Sequence, residues 1–145
     1  MSQYIKHTLS KQNVQPIGYI DFHSYSQEIL YPFAYDCDVL PRDAEDLAEA
    51  AWGAARAARN VHGRFFTVDS ACDSDNFPST QRIISGGAAV DWVYAKADVM
   101  YSYSVKLRDT GNHGFLLPRS EIVPSGEEMF AMIKELAEFI FQRSF

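Results

Sequence analysis

Two stretches carry side chains able to do acid, base or ligand chemistry. "IGYIDFHSYSQ" places His23 after an apolar run and ahead of three polar residues, and "VMYSYSVKLRDTGNHGF" places Lys106, Arg108 and Asp109 where a second apolar run gives way to a Gly-rich bend. An imidazole at the carboxyl end of a strand can meet a metal ion or substrate, because sites gather along that edge of α/β sheets. A hydrogen-bonded structural histidine has the same sequence context. The two-residue period of a strand puts Lys106 and Arg108 on one side, where spacing by itself expects both to reach solvent while Asp109 caps the following turn.

Other chemistries find less support. A zinc site needs at least three donors, and no HxxH, HExxH or HxxE surrounds His7, His23, His62 or His113. No GxSxG elbow is present, and Ser24 and Ser26 lie too close to His23 in sequence to indicate a triad. Gly86-Gly87 has no GxxxxGK[ST] or GxGxxG around it and reads as a plain turn rather than a phosphate loop. Cys37 and Cys72 sit outside any CxxC pattern, so their spacing leaves a disulfide and two free thiols equally open.

The elements that must position these residues follow from periodicity. Ile17 to His23 is β-branched and aromatic and follows Pro16, as a buried strand does. Pro41 to Asn60 has acids in its first turns, arginines towards its end, and Leu47, Ala51, Ala54, Ala55 and Ala58 on one face, which predicts a helix. The stretch from Gly63 to Gly87 is broken by Gly, Pro, Ser and Asp and reads as a functional loop or lid. "AAVDWVYAKA" predicts a short helix, "VMYSYSVKL" a strand, and "PSGEEMFAMIKELAEFIFQ" an amphipathic helix in which Ser125 and Glu128 have capping-box spacing. The order β, α, α, β, α indicates an α/β domain with a mixed or parallel sheet.

Composition sets the outer limits. With 145 residues, 47% hydrophobic and 14% aromatic, the chain suffices for one domain with a core. Thirteen basic residues against nineteen acidic ones give a net charge of -6 without a Lys/Arg cluster, which argues against nucleic acid as a partner. No apolar run approaches the roughly 18 to 20 residues that span a bilayer, and "MSQYIKHTLSKQNVQP" is too polar for a signal-peptide core, so neither a membrane nor a signal peptide is expected.

Taken in order, "DFHSYSQEILYPFAY", "SGGAAVDWVY" and "YSYSVKLRDTGNHGFLLPRSEIVP" resemble the second half of the zinc carboxypeptidase fold of the A/B type. The similarity is greatest to the fungal inactive metallocarboxypeptidase-like proteins, in which the catalytic glutamate of the "ELRDTG" strand is a lysine. The resemblance implies an α/β fold, part of the mixed-sheet carboxypeptidase architecture with flanking helices. It also implies that residues 1–145 correspond to a C-terminal half, with the HxxE half and any propeptide absent.

Residue by residue, the resemblance makes His23 the third zinc ligand, Ser24 and Tyr25 cleft-lining substrate residues, and Lys106 the occupant of the general-base position. Val90 corresponds to the floor of the specificity pocket and Ser104 to its wall, which implies an apolar C-terminal side chain if a pocket survives. The substrate-capping tyrosine of the family is replaced by Arg82, Ile83 or Ile84, according to the gap chosen, and the arginines that hold a terminal carboxylate belong to the upstream half. A secreted or vacuolar setting, a Cys37–Cys72 disulfide and cis peptide bonds at Ser24-Tyr25, Pro32-Phe33 and Arg108-Asp109 are also implied.

The lysine matters chemically. A general base needs a free lone pair, and an ammonium offers donors only. A cation there also opposes binding of a dication. The expectation is a pseudoenzyme fragment, without an intact catalytic set, that binds zinc weakly or not at all and whose cleft can take a peptide or protein C-terminus. An active metallocarboxypeptidase fragment, with another carboxylate moving the proton, is one alternative. A non-catalytic interaction module of the secretory pathway or cell wall is the other.

Overall fold

The helix expected over Pro41–Asn60 forms as α1, Ala44–His62, in a computed structural model that describes residues 15–72 and 84–144 together with positions 3 and 7. Glu45 and Asp46 occupy its first turn and Arg59 and His62 its last, the charge arrangement that complements the helix dipole. It stops at Gly63, whose φ of 74° a side-chain-bearing residue adopts at a cost, and whose N–H donates to the Arg59 carbonyl.

The buried face of α1 is small: Ala50, Ala51, Gly53, Ala54, Ala55 and Ala58, with Leu47 the one large member. Small residues allow close approach of the last helix, α3, Ile122–Ser144. A Cβ at Gly53 would lie 3.4 Å from Glu135 Oε1. His62 at the end of α1 meets Glu127 near the start of α3, and Arg143 at the end of α3 meets Asp46 and Glu49, so the two helices run antiparallel.

Among the described residues four strands form one mixed sheet: β1 Gly18–His23, β2 Glu28–Tyr31, β3 Thr67–Ser70 and β4 Tyr101–Lys106, in the order β1-β4-β2-β3. β1 pairs parallel with β4, β2 parallel with β3, and β2 antiparallel with β4. Tyr101, Tyr103 and Val105 of β4 join Ile29 and Val68 in one core with Leu47 of α1 and Met129, Met132, Leu136 and Ile140 of α3. The Tyr103 hydroxyl donates to the Leu47 carbonyl at 3.0 Å, which satisfies the polar end of a ring that is 1% exposed. Ser102, Ser104 and Lys106 alternate to the opposite face of β4. The short helix α2, Ala89–Ala97, packs against β4 and β1.

Three features depart from the order of elements that periodicity gives. The stretch between α1 and α2 is more than a loop, because β3 lies within it and pairs with β2. "EILY" is itself a strand: with Glu28, Ile29 and Leu30 all buried, β2 shows no apolar/polar alternation and opens on an acid, so its sequence lacks the usual mark of a strand. The final helix begins at Ile122, after a 3-10 turn over Arg119–Glu121, with Pro124 tolerated in its first turn. Ser125 is therefore inside the helix, and Glu128, 0% exposed, serves Arg108 instead of capping.

Cys37 and Cys72 are joined in a disulfide with their Cα atoms 5.5 Å apart, tying the segment after β2 to the turn after β3. The three peptide bonds Ser24-Tyr25, Pro32-Phe33 and Arg108-Asp109 are cis.

Candidate functional site

The sheet register assembles the site. β1 and β4 run parallel and end together, with His23 beside Lys106 and, two residues earlier, Asp21 beside Ser104. β2 returns antiparallel on the other side of β4, with Glu28 beside Lys106 and Leu30 beside Ser104. Paired residues share a face of the sheet, so three strands place His23, Lys106 and Glu28 in one row at its rim. Asp21, Ser104 and Leu30 form the next row.

Within the rim row, Lys106 turns inward. Its Nζ lies 2.8 Å from Glu28 Oε2, and the two side chains are 28% and 2% exposed. The solvent-directed lysine that spacing expects is not what forms, because a buried carboxylate without a cation would cost several kcal/mol in desolvation. His23 Nε2 is 2.9 Å from Asp21 Oδ2, within the same β1 strand.

Arg108 departs from the spacing expectation as well. Its guanidinium is 4% exposed, donates through Nε to Glu128 at 2.8 Å, and also bonds Glu121. Two residues that a strand period places together thus divide: Lys106 faces the rim, and Arg108 anchors the end of β4 to the start of α3.

Asp109 does cap the turn that follows. Its carboxylate accepts from the Gly111 N–H at 2.7 Å, the His113 N–H at 3.2 Å and the His113 ring at 2.6 Å. The His113 hydrogen bond is the largest cause holding the Asp109 carboxyl below its usual range. Gly111, at φ 111°, lies beneath Tyr25, where a Cβ would come to 3.2 Å from the ring. The same ring also packs against Phe115 in an edge-to-face arrangement, with centroids 5.1 Å apart.

The turn that carries Ser24 and Tyr25 is held at both ends. Leu107 N–H donates to the His23 carbonyl at 2.8 Å, and the N–H groups of Ser26 and Gln27 donate to the Leu107 carbonyl at 3.1 and 3.2 Å. Ser26 and Gln27 adopt positive φ of 145° and 60°. His23, Ser24, Tyr25, Ser104 and Lys106 therefore belong to one region, built by β1, β4 and the turn between β1 and β2.

Val90 lies in the first turn of α2, the helix packed against β4 and β1, and is 3% exposed. Its neighbour Asp91 is the polar residue of that turn: the carboxylate accepts from the Ala34 N–H at 2.9 Å and the Tyr35 N–H at 3.1 Å. Burial nonetheless raises its pKa. Arg82 and Ile83 lie outside the described residues, and Ile84 is 64% exposed.

Sequence reasoning missed Glu28, Asp21 and Asp91, and read Glu128 as a capping residue. Each is an acid with a specific partner, and a lone acid opening or interrupting an apolar run, as in "QEILY" and "AVDWV", is the signal that points to them.

Comparison with known proteins agrees with this geometry. The zinc carboxypeptidase family model matches residues 1–132. The inactive metallocarboxypeptidase ecm14 of Sclerotinia sclerotiorum is 43% identical over 146 residues, covering 96% of this chain and 24% of its own length. The inactive metallocarboxypeptidase ECM14 of Saccharomyces cerevisiae is 47% identical over 141 residues, covering 95% of this chain and 31% of its own. The chain thus spans about a quarter to a third of the curated relatives it matches. Among solved structures, bovine thrombin-activatable fibrinolysis inhibitor in complex with tick carboxypeptidase inhibitor superposes with a TM-score of 0.82 at 29% identity, over 97% of this chain and 45% of that one. Carboxypeptidase A from Helicoverpa armigera gives a TM-score of 0.77 at 23% identity and shares the fold. With residues 1–132 matched by the family model and relatives above 40% identity over nearly its whole length, the chain belongs to the zinc carboxypeptidase family.

Proposed function

We propose that this chain is the C-terminal half of a carboxypeptidase-like domain that does not hydrolyse peptides. The carrying observation is the Lys106–Glu28 pair. The rim position read as the general base presents an ammonium, and the carboxylate 2.8 Å from it is 2% exposed. A base for hydrolysis must accept a proton from an attacking water, and an ammonium has no lone pair. Glu28, the carboxylate that an active-enzyme reading would turn to, is engaged by Lys106 and closed to solvent. Relatives that carry the name inactive metallocarboxypeptidase support the same reading.

Zinc fits poorly to the residues present. His23 is paired with Asp21, a cation stands beside it in the register, and among the described residues no group of three or more His, Cys, Asp or Glu side chains is arranged to hold a metal ion. Zinc belongs to the family as a whole, and we assign this chain at most weak affinity for it.

Ser24, Tyr25, Ser104 and Val90 are the residues we assign to contact with a peptide or protein C-terminus. The Tyr25–Phe115 ring pair beside the rim supports contact with an apolar terminal side chain. The Cys37–Cys72 disulfide favours an oxidising, secreted or vacuolar location. No described helix is long and apolar enough to cross a membrane.

The test is an assay of the full-length parent, with zinc supplied, on peptides ending in aromatic residues. No release of the terminal residue is expected, while binding of the same peptides is retained. Zinc-dependent release would overturn the non-hydrolytic reading.

A further inference from the structure

We infer that Glu28 is a positioning residue for Lys106, so that loss of the base is a two-residue device and a glutamate restored at position 106 alone would not regain a usable carboxylate. The inference rests on Lys106 occupying the base position, and adds a residue that the family resemblance did not single out.

The geometry carries it. Glu28 and Lys106 are direct cross-strand neighbours on antiparallel β2 and β4, the arrangement in which opposite charges support each other and like charges repel. The contact is 2.8 Å, and Glu28 is 2% exposed, so its charge depends on protein partners rather than water. Lys106 is 28% exposed, far less than the solvent-seeking lysine of an ordinary strand end. Glu28 thus fixes where the ammonium lies. In a Lys106→Glu protein, two carboxylates would face each other at a distance now spanned by one hydrogen bond. The new acid would have to turn away or share a proton, and in neither arrangement is it the free acceptor that base catalysis requires.

The experiment uses the 145-residue chain and does not depend on hydrolysis. Thermal melts are compared for wild type, Lys106→Glu, Glu28→Gln, the double Lys106→Glu/Glu28→Gln and the swap Lys106→Glu/Glu28→Lys. Lys106→Glu is expected to lower Tm by roughly 10 °C, and both double variants to recover at least half of that loss. In parallel, acylation of lysines is mapped by mass spectrometry. Lys106 should react several-fold more slowly than Lys134 in wild type, and Glu28→Gln should remove most of that protection, a change that a purely structural role for Glu28 would not produce.

Additive effects on Tm, or Lys106 labelling unchanged by Glu28→Gln, would overturn the inference. If Lys106→Glu fails to fold, the neutral pair Lys106→Gln and Glu28→Gln with their double variant complete the same cycle, and additivity there overturns it equally. Peptide release by the full-length wild type would defeat the non-hydrolytic reading without touching the coupling of the two residues, so the two failures are distinguishable.

Discussion

Two ion pairs begin two residues apart, one on the last residue of β4 and one just beyond it, and belong to different parts of the molecule. Lys106 pairs with Glu28 across the sheet at the partly open rim, whereas Arg108 pairs with Glu128 and Glu121 beneath α3, where it is 4% exposed. A compact ammonium suffices for one cross-strand carboxylate, while a planar guanidinium can serve two acids from two elements at once. One chemical theme therefore marks a site in the first case and fixes the architecture around it in the second. What separates them is the surroundings of each side chain, and residue type alone would not reveal it.

Several measurements would break or sharpen that contrast. The largest effect is expected from Arg108→Ala, which strands Glu128 as a buried charge. Urea unfolding should show a loss of about 3–5 kcal/mol, and a loss below about 1 kcal/mol would remove Arg108 from its anchoring role. Replacement by Lys should recover only part, because one ammonium cannot reproduce both contacts.

Next in size is the Cys37–Cys72 crosslink, which lies away from both pairs. Its reduction, or a double Cys→Ser variant, is expected to cost about 2–4 kcal/mol in the same assay. The Lys106 labelling rate should stay as in wild type, and a changed rate would mean that the rim depends on the far end of the sheet.

Asp109 offers a pH-resolved test between the two pairs. Its folded carboxyl pKa is held down, first by the His113 hydrogen bond and then by backbone N–H groups, so it contributes stability above the unfolded carboxylate pKa of about 3.9. That contribution is lost as pH falls through the lower folded value. His113→Ala should therefore lower Tm above that window and lose less of it than wild type as pH falls below about 3.9, so that the two acid titrations of thermal stability converge. A profile parallel to wild type through that window would show that the ring contributes nothing to the turn. At the bottom of the scale, Lys134→Ala, which breaks the exposed i,i+4 contact with Glu138, should change stability by less than about 0.5 kcal/mol.

The parts of this fold that sequence made legible are those with strong local pattern. The graded charges and alanine face of α1 place that helix to within a few residues, and β1, β4 and α2 also appear where periodicity expects them, although β1 is a partly exposed strand at the end of the order and not the buried strand its apolar residues suggest. β2 escaped because a four-residue strand buried on both faces has no alternation, and β3 because only Val68 of its residues is fully buried. The start of α3 was misplaced for an electrostatic reason: Glu128 has the spacing of a capping residue and is used as the partner of an arginine twenty positions away.

The site divides in the same way. His23 and Lys106 could be singled out as residues, yet their alignment is a matter of register between strands some eighty residues apart, which no local pattern encodes. Glu28 and Asp21 were invisible because their importance lies in a partner. The resemblance to a family supplied the register that periodicity could not.

The contact between Gly111 and Tyr25 gives the rim a mechanical character. Tyr25 packs against a backbone with no side chain to yield and against the Phe115 ring, and the loop that supplies both is tightened at Asp109 by three hydrogen bonds. Tyr25 therefore joins the turn after β1 to loop 109–115, and a change that displaces the tyrosine is expected to disturb a loop that follows closely on the strand carrying Lys106.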